Sequence, residues 1–243
     1  MSNKSAIGTG FDHAPGFDVE RTVFSWHFYC WLLDVDTHPI INGTFPNFAH
    51  KFCEEWQLET YFSVVESDMK KIGNGASFMT EFGTCDFSAG NATNEKNQDE
   101  CRYILEASDQ HFQSWTYWDW DFYTHDYQIN YYKLNLFSRV YPTATNGIPK
   151  TLFYNSTTQF FSYTYEANIT SIRQAVLPTE IFIPLHLYPN NDFQVSVSPS
   201  LTWTFDSDST KIFVYLNGYA LDSVFNNGMK DFDNLVTVKI QHK

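Results

Sequence analysis

Basic residues are scarce in this chain of 243 residues: 15 Lys and Arg stand against 28 Asp and Glu, a formal net charge of −13 at pH 7. That balance argues against a nucleic-acid partner, because binding phosphates requires a basic surface. Long apolar runs are missing too. None reaches 18 residues, so no transmembrane helix is expected. The opening stretch MSNKSAIGTGFDHAPG has no apolar h-region and is no signal peptide. Cysteines number four, Cys30, Cys53, Cys85 and Cys101, all in the first half and without a CxxC spacing, which disfavours a zinc site. No internal repeat or low-complexity tract is found, and no cofactor is implied.

Aromatic side chains are plentiful. Phe, Tyr and Trp make up 19% of the residues, and 43% are hydrophobic, enough for a sizeable core. Tyr and Trp join a flat apolar body to a polar tip, which suits both sugar clefts and sandwich cores. N-x-S/T sequons include those at Asn42, Asn91, Asn155 and Asn168. With an even cysteine count they suggest passage through an oxidising secretory compartment. Proximity favours the pairs Cys30–Cys53 and Cys85–Cys101 among three pairings. The expected location is secreted or in a lysosomal or endomembrane lumen, with the leader lying upstream of this chain.

The texture changes along the sequence. TVFSWHFYCWLL, 22–33, is a dense β-branched and aromatic run and predicts a buried strand. In the following segment Phe48, Phe52, Trp56, Phe62, Val65, Met69 and Ile72 recur at helical spacing, with Gly73 as the stop. Residues 76–81 predict a second strand. Cys101, Ile104, Leu105, Ser108 and Phe112 mark one face of a second helix, 114–123 a third strand, and NYYKLNLFSRVYP a last helix ended before Pro142. The β-α-β-α-β-α order predicts a parallel sheet, since parallel strands need crossovers. From about 150, short β runs follow one another between turn residues, the pattern of an antiparallel sandwich. The expected domains are 1–148 and 149–243.

Three strand ends carry candidate chemistry. His27 and Tyr29, two apart, share one face of the first strand; Glu81 closes the second; Trp118 lies near the end of the third. In a β/α barrel the C-terminal strand ends hold the active site. This ordered set, in SWHFYC, TEFG and SWTYWDWDF, resembles glycoside hydrolase family five, most closely its endoglycoceramidase and glucosylceramidase branch. GFDHAPG is similar to that branch's loop into its sixth strand, and SRVYPTATNGIPKTLFY, FSYTYEAN and TEIFIPLHLYP to its C-terminal sandwich.

The resemblance implies an α/β plus all-β fold: the C-terminal part of a (β/α)8 TIM barrel, about strands six to eight, then a small β-sandwich. It implies a retaining glycosidase of glycosphingolipid catabolism, cleaving a β-glucosyl linkage of glycosphingolipids or related glycosides. Glu81 would be the nucleophile, His27 and Tyr29 would line the cleft, and Trp118 would be the sugar platform. A glycolipid or oligosaccharide is the implied partner, with peripheral membrane contact. The family's acid/base motif, Asn-Glu-Pro, is absent; Asn94-Glu95 lacks the proline. The expectation is an enzyme incomplete as given, with strands one to five upstream. The alternative is a catalytically inactive carbohydrate- or glycolipid-binding protein.

Overall fold

Two hydrophobic rhythms divide the chain, and the structure follows them. The computed structural model describes residues 23–30, 51–71, 73, 75–83, 92–118 (92–100 as backbone helix), 122–123, 126–168, 177–218 and 234–243. The chain forms two units, Met1–Asn130 and Tyr131–Lys243. The division falls earlier than the expected 148/149, because Val140 joins the second unit's core and the strand that follows it pairs within the second unit's sheets.

In the first unit, β1 (Val23–Phe28), β2 (Ala76–Phe82) and β3 (Ser114–Trp115) form a parallel sheet in the order β1-β2-β3. The parallel pairing is as the sequence predicts. The strands are less apolar on one face than expected: Trp26 and Phe28 are buried, while Ser25 and His27 between them are exposed. The buried face meets a helix. A π-helical segment, Phe52–Leu58, runs into α1 (Glu59–Lys71), whose Phe62 packs edge-on to Trp26 at 5.2 Å and whose Tyr61 packs edge-on to Phe28 at 5.2 Å. Helix α2 spans Ala92–Gln110 and buries Cys101, Ile104, Leu105 and Ser108. Asn94-Glu95 lie within this helix.

Three expectations are corrected. Trp56, expected on the buried stripe, is 70% exposed. The wider π turn advances the chain by one residue per turn, so Gln57 and Leu58 take the buried places. Phe112 is also exposed: α2 ends at Gln110, and Phe112 lies in the closing turn with φ 51°, where its amide bonds Asp109 O. The third strand is short. Ser114–Trp115 alone pair regularly, and the ladder continues irregularly through Thr116 N to Met79 O and Trp118 N to Phe82 O, both 2.9 Å.

The second unit opens with α3 (Tyr131–Phe137). Among the described residues, eight strands follow: β4 (Tyr141–Ala144), β5 (Gly147–Asn155), β6 (Phe160–Ala167), β7 (Thr179–Phe182), β8 (Phe193–Val197), β9 (Leu201–Asp206), β10 (Lys211–Leu216) and β11 (Leu235–His242). They make two antiparallel sheets, β4-β7-β10-β9 and β5-β6-β11-β8. The expected last helix therefore stops at Phe137, and Pro142 lies in a strand. A proline cannot donate to a ladder, so it fits only an edge or a bulge. Pro142 has both: β4 is an edge, and its register with β7 shifts between Pro142 and Ala144. Pro149 sits likewise on the edge strand β5, beside a register shift before Thr151.

Alternation explains the sandwich core. Phe161, Tyr163 and Tyr165 point inward from β6, Ile212 and Val214 from β10, and Val236, Val238 and Ile240 from β11, all in one buried cluster. Two of the buried tyrosines have hydroxyl partners: Tyr163 bonds Thr145 Oγ1 at 2.6 Å and Tyr188 donates to Gln159 O at 2.8 Å. Burial pushes the Tyr163, Tyr165 and Tyr188 phenols above the ordinary tyrosine range, so they stay neutral. The Arg139 guanidinium sits 4.7 Å over the Tyr154 ring and donates to Tyr154 O.

Gly147 starts β5 at φ 148°, and a Cβ there would fall onto the Glu166 carbonyl oxygen. Gly147→Ala is therefore expected to destabilise the second unit by at least about 2 kcal/mol. Urea unfolding of the two proteins compares them directly.

Candidate active site

Glu81 owes its direction to a β-bulge. Along β1 and β2, Trp26 pairs with Met79, but His27 pairs with Glu81 and not with Thr80. The β3 side shows the same extra residue: Thr116 to Trp118 spans two steps where their acceptors, Met79 to Phe82, span three. Strict alternation would send Glu81 to the same face as Met79, against the helix. The bulge instead turns both Thr80 and Glu81 to the open face. Thr80 bonds Ser25 Oγ at 2.7 Å, and Phe82 returns to the buried face beside Phe28.

On that open face three predicted residues meet. Tyr29 OH donates to Glu81 Oε2 at 3.2 Å, and His27 Nδ1 lies 3.3 Å from the same oxygen. The side chains of His27 and Glu81 remain 48% and 34% exposed, so the carboxylate is held without being sealed off. Among the described residues, both contacts fall on this one oxygen of the carboxylate.

Gly83, two residues on, is buried and lets β2 approach the third strand. A Cβ on it would lie 2.7 Å from Trp118 O and 3.1 Å from Tyr29 Cε1. Only a bare backbone fits there, and this contact brings the Trp118 main chain beside the Tyr29 ring. Trp118 is 61% exposed. Among the described residues, no three His, Cys, Asp or Glu side chains converge as metal ligands would.

Among the described residues, grooves lie elsewhere. One of about 490 Å³ follows the outer side of the π-helical segment and α1, past Trp56, Glu59 and Lys71. The other, about 610 Å³, lies in the second unit by Asn146, Glu166 and Asn168. Neither is lined by His27, Tyr29, Glu81 or Trp118.

Cys30 and Cys53 form a disulfide, with Cα atoms 5.7 Å apart, as proximity predicts. Cys101 is also disulfide-bonded. Cys85, Asn42 and Asn91 lie outside the described residues. Asn155 ends β5 and accepts the Thr157 and Thr158 amides; Asn168 is exposed after β6. Sequence reasoning missed Thr80, Ser25 and Gln57. Thr80 had no signal of its own, because a bulge leaves none in a two-residue rhythm. Gln57 had a faint one, as a polar residue inside an apolar helical segment.

Residues 139–220 match the family described as the glycoside hydrolase family 5 C-terminal domain. No protein of curated function matches the chain. Endoglycoceramidase II from Rhodococcus sp., in its cellobiose-like isofagomine complex, superposes with a TM-score of 0.62 at 18% identity, over 91% of this chain and 42% of that one. The same enzyme as a lactosyl-enzyme intermediate gives 0.57 at 17% identity, over 81% and 40%. Cryptococcus neoformans sterylglucosidase 1 gives 0.58 at 15% identity, over 92% and 38%. The chain thus spans about two fifths of the length of these structures. By its second unit and by its fold, the chain resembles the C-terminal portion of glycoside hydrolase family 5 enzymes of the endoglycoceramidase and sterylglucosidase kind.

Proposed function

We propose that this chain supplies the nucleophile side of a retaining β-glycosidase site. Glu81 is the nucleophile, and the linkage cleaved is the β-glucosyl bond of a glycosphingolipid or related glycoside. The observation that carries the reading is the single carboxylate oxygen of Glu81 held by Tyr29 OH and faced by His27 on an exposed sheet face. Retaining hydrolysis needs such an ionised carboxylate, with a second carboxyl about 5–5.5 Å away to protonate the leaving oxygen. Tyr29 restrains the attacking carboxylate, His27 orients a substrate hydroxyl, and Trp118 offers its ring to a pyranose face. The solved relatives support this reading: one is a lactosyl-enzyme intermediate, and the others are glycosidases bound to small ligands.

In this reading the first unit is the last part of a β/α barrel. The acid/base carboxyl comes from barrel residues beyond this chain, in keeping with the two-fifths span of the matched structures. A glycolipid substrate would bring peripheral membrane contact, and a lumenal or secreted location fits the Cys30–Cys53 disulfide. A second reading, binding without catalysis, draws on the open form of the Glu81 face, which neither groove encloses.

A trapping experiment separates the two. A 2-deoxy-2-fluoro-β-glucoside with a dinitrophenolate leaving group needs no acid to depart, so the nucleophile alone suffices. Treated with it, the longest form of the protein that carries these residues should gain the mass of one fluoro-sugar, mapped to Glu81. Saturable glucoside binding with no covalent gain would favour the binding-only reading.

A further inference from the structure

We infer that Gln57 is a positioning residue for the Tyr29–Glu81 pair, setting the tyrosine's backbone from the π-helical segment. The inference rests on the proposed role of Glu81 for its catalytic meaning only. Three consecutive residues at the end of β1 are tied to one helical stretch by three different chemistries. The Phe28 ring packs edge-on to Tyr61, Tyr29 O accepts from Gln57 Nε2 at 3.1 Å, and Cys30 is bonded to Cys53. Tyr29 sits in the middle, and its hydroxyl reaches Glu81.

The Gln57 side chain is placed at a cost. It is 8% exposed, its amide nitrogen is committed to Tyr29, and its Oε1 is buried without a hydrogen-bond partner among the described residues. A buried unpaired carbonyl costs stability. A methionine of similar length would avoid that penalty but would take away the donor to Tyr29 O. What glutamine adds is a donor aimed at the carbonyl of Tyr29. The π turn is what brings Gln57 inward where α-helical spacing would have put Trp56, and π turns recur at functional sites.

Gln57→Met keeps the shape and removes both the donor and the unpaired acceptor. In this chain, with tyrosine Cζ labelled by ¹³C and the Tyr29 signal assigned through Tyr29→Phe, Glu81→Gln should move the Tyr29 resonance. Gln57→Met should move it in the same sense, with a cooperative melting curve showing that the fold is kept. In a catalytically competent form carrying these residues, Gln57→Met should lower kcat roughly 3–10-fold with KM unchanged, and lower it no further in a Tyr29→Phe background. A Tyr29 resonance that Glu81→Gln shifts but Gln57→Met leaves in place would overturn the inference, as would equal rate losses in both backgrounds. The resonance answers whether or not Glu81 is labelled by the fluoro-sugar, so the two ideas fail separately.

Discussion

Glu81→Gln is expected to reduce β-glucoside or glycosphingolipid turnover by on the order of 10⁴-fold or more in a catalytically competent form of the protein, the scale on which removing a covalent nucleophile acts. The replacement is nearly isosteric, and the amide oxygen can still accept from Tyr29 OH, which now lies 3.2 Å from the carboxylate. The side chain is about one third exposed, so the change should shift stability by no more than about 0.5 kcal/mol. Binding of an unreactive glucoside should persist, because His27 and the exposed Trp118 ring are untouched. What is lost is the ability to form a glycosyl ester, since an amide cannot take the anomeric carbon and then release it to water. Steady-state kinetics beside a melting curve would decide the matter. Near-normal turnover with an intact fold would make Glu81 an ordinary solvated residue at a strand end.

The second large effect is on stability. Phe161→Ala should cost the second unit about 3–5 kcal/mol, the range for truncating a large buried ring. Phe161 is fully buried in the middle of the sandwich cluster, 6.3 Å from the Tyr163 ring, on a strand paired on both sides by β5 and β11. A central strand cannot shift to fill the hole without breaking two ladders. Calorimetry should show the transition of this unit falling by roughly 10–20 °C. A fall of only two or three degrees would mean that the cluster packs loosely around Phe161.

Much of this architecture could be read directly because the sandwich is built on strict alternation. QFFSYTYEAN and LVTVKIQH show their inner faces residue by residue, and β6 and β11 bury those positions. Departures from regular periods were not legible. The bulge at Thr80 changes which face Glu81 occupies, yet its sequence signature is nil, so only the likeness of TEFG to a known strand end suggested the carboxylate's direction. The π-helical segment moved Trp56 outward and Gln57 inward for the same reason: a period of 3.6 was assumed where the backbone uses a wider turn. Pro142 misled in a third way. A proline ends helices and also marks sheet edges, and local sequence does not choose between them. The meeting of His27, Tyr29 and Glu81 needed the parallel register, a long-range property that no single segment contains.

The two edge prolines have a further consequence for the protein in crowded solution. A sheet edge is a row of unsatisfied amides and carbonyls on which a strand from another molecule can add itself, and repetition of that step grows aggregates. Pro142 on β4 and Pro149 on β5 each remove one donor from an edge, and the register shift beside each interrupts the regular spacing that an incoming strand would need. Among the described strands, these two edges are therefore poor templates for the addition of another copy.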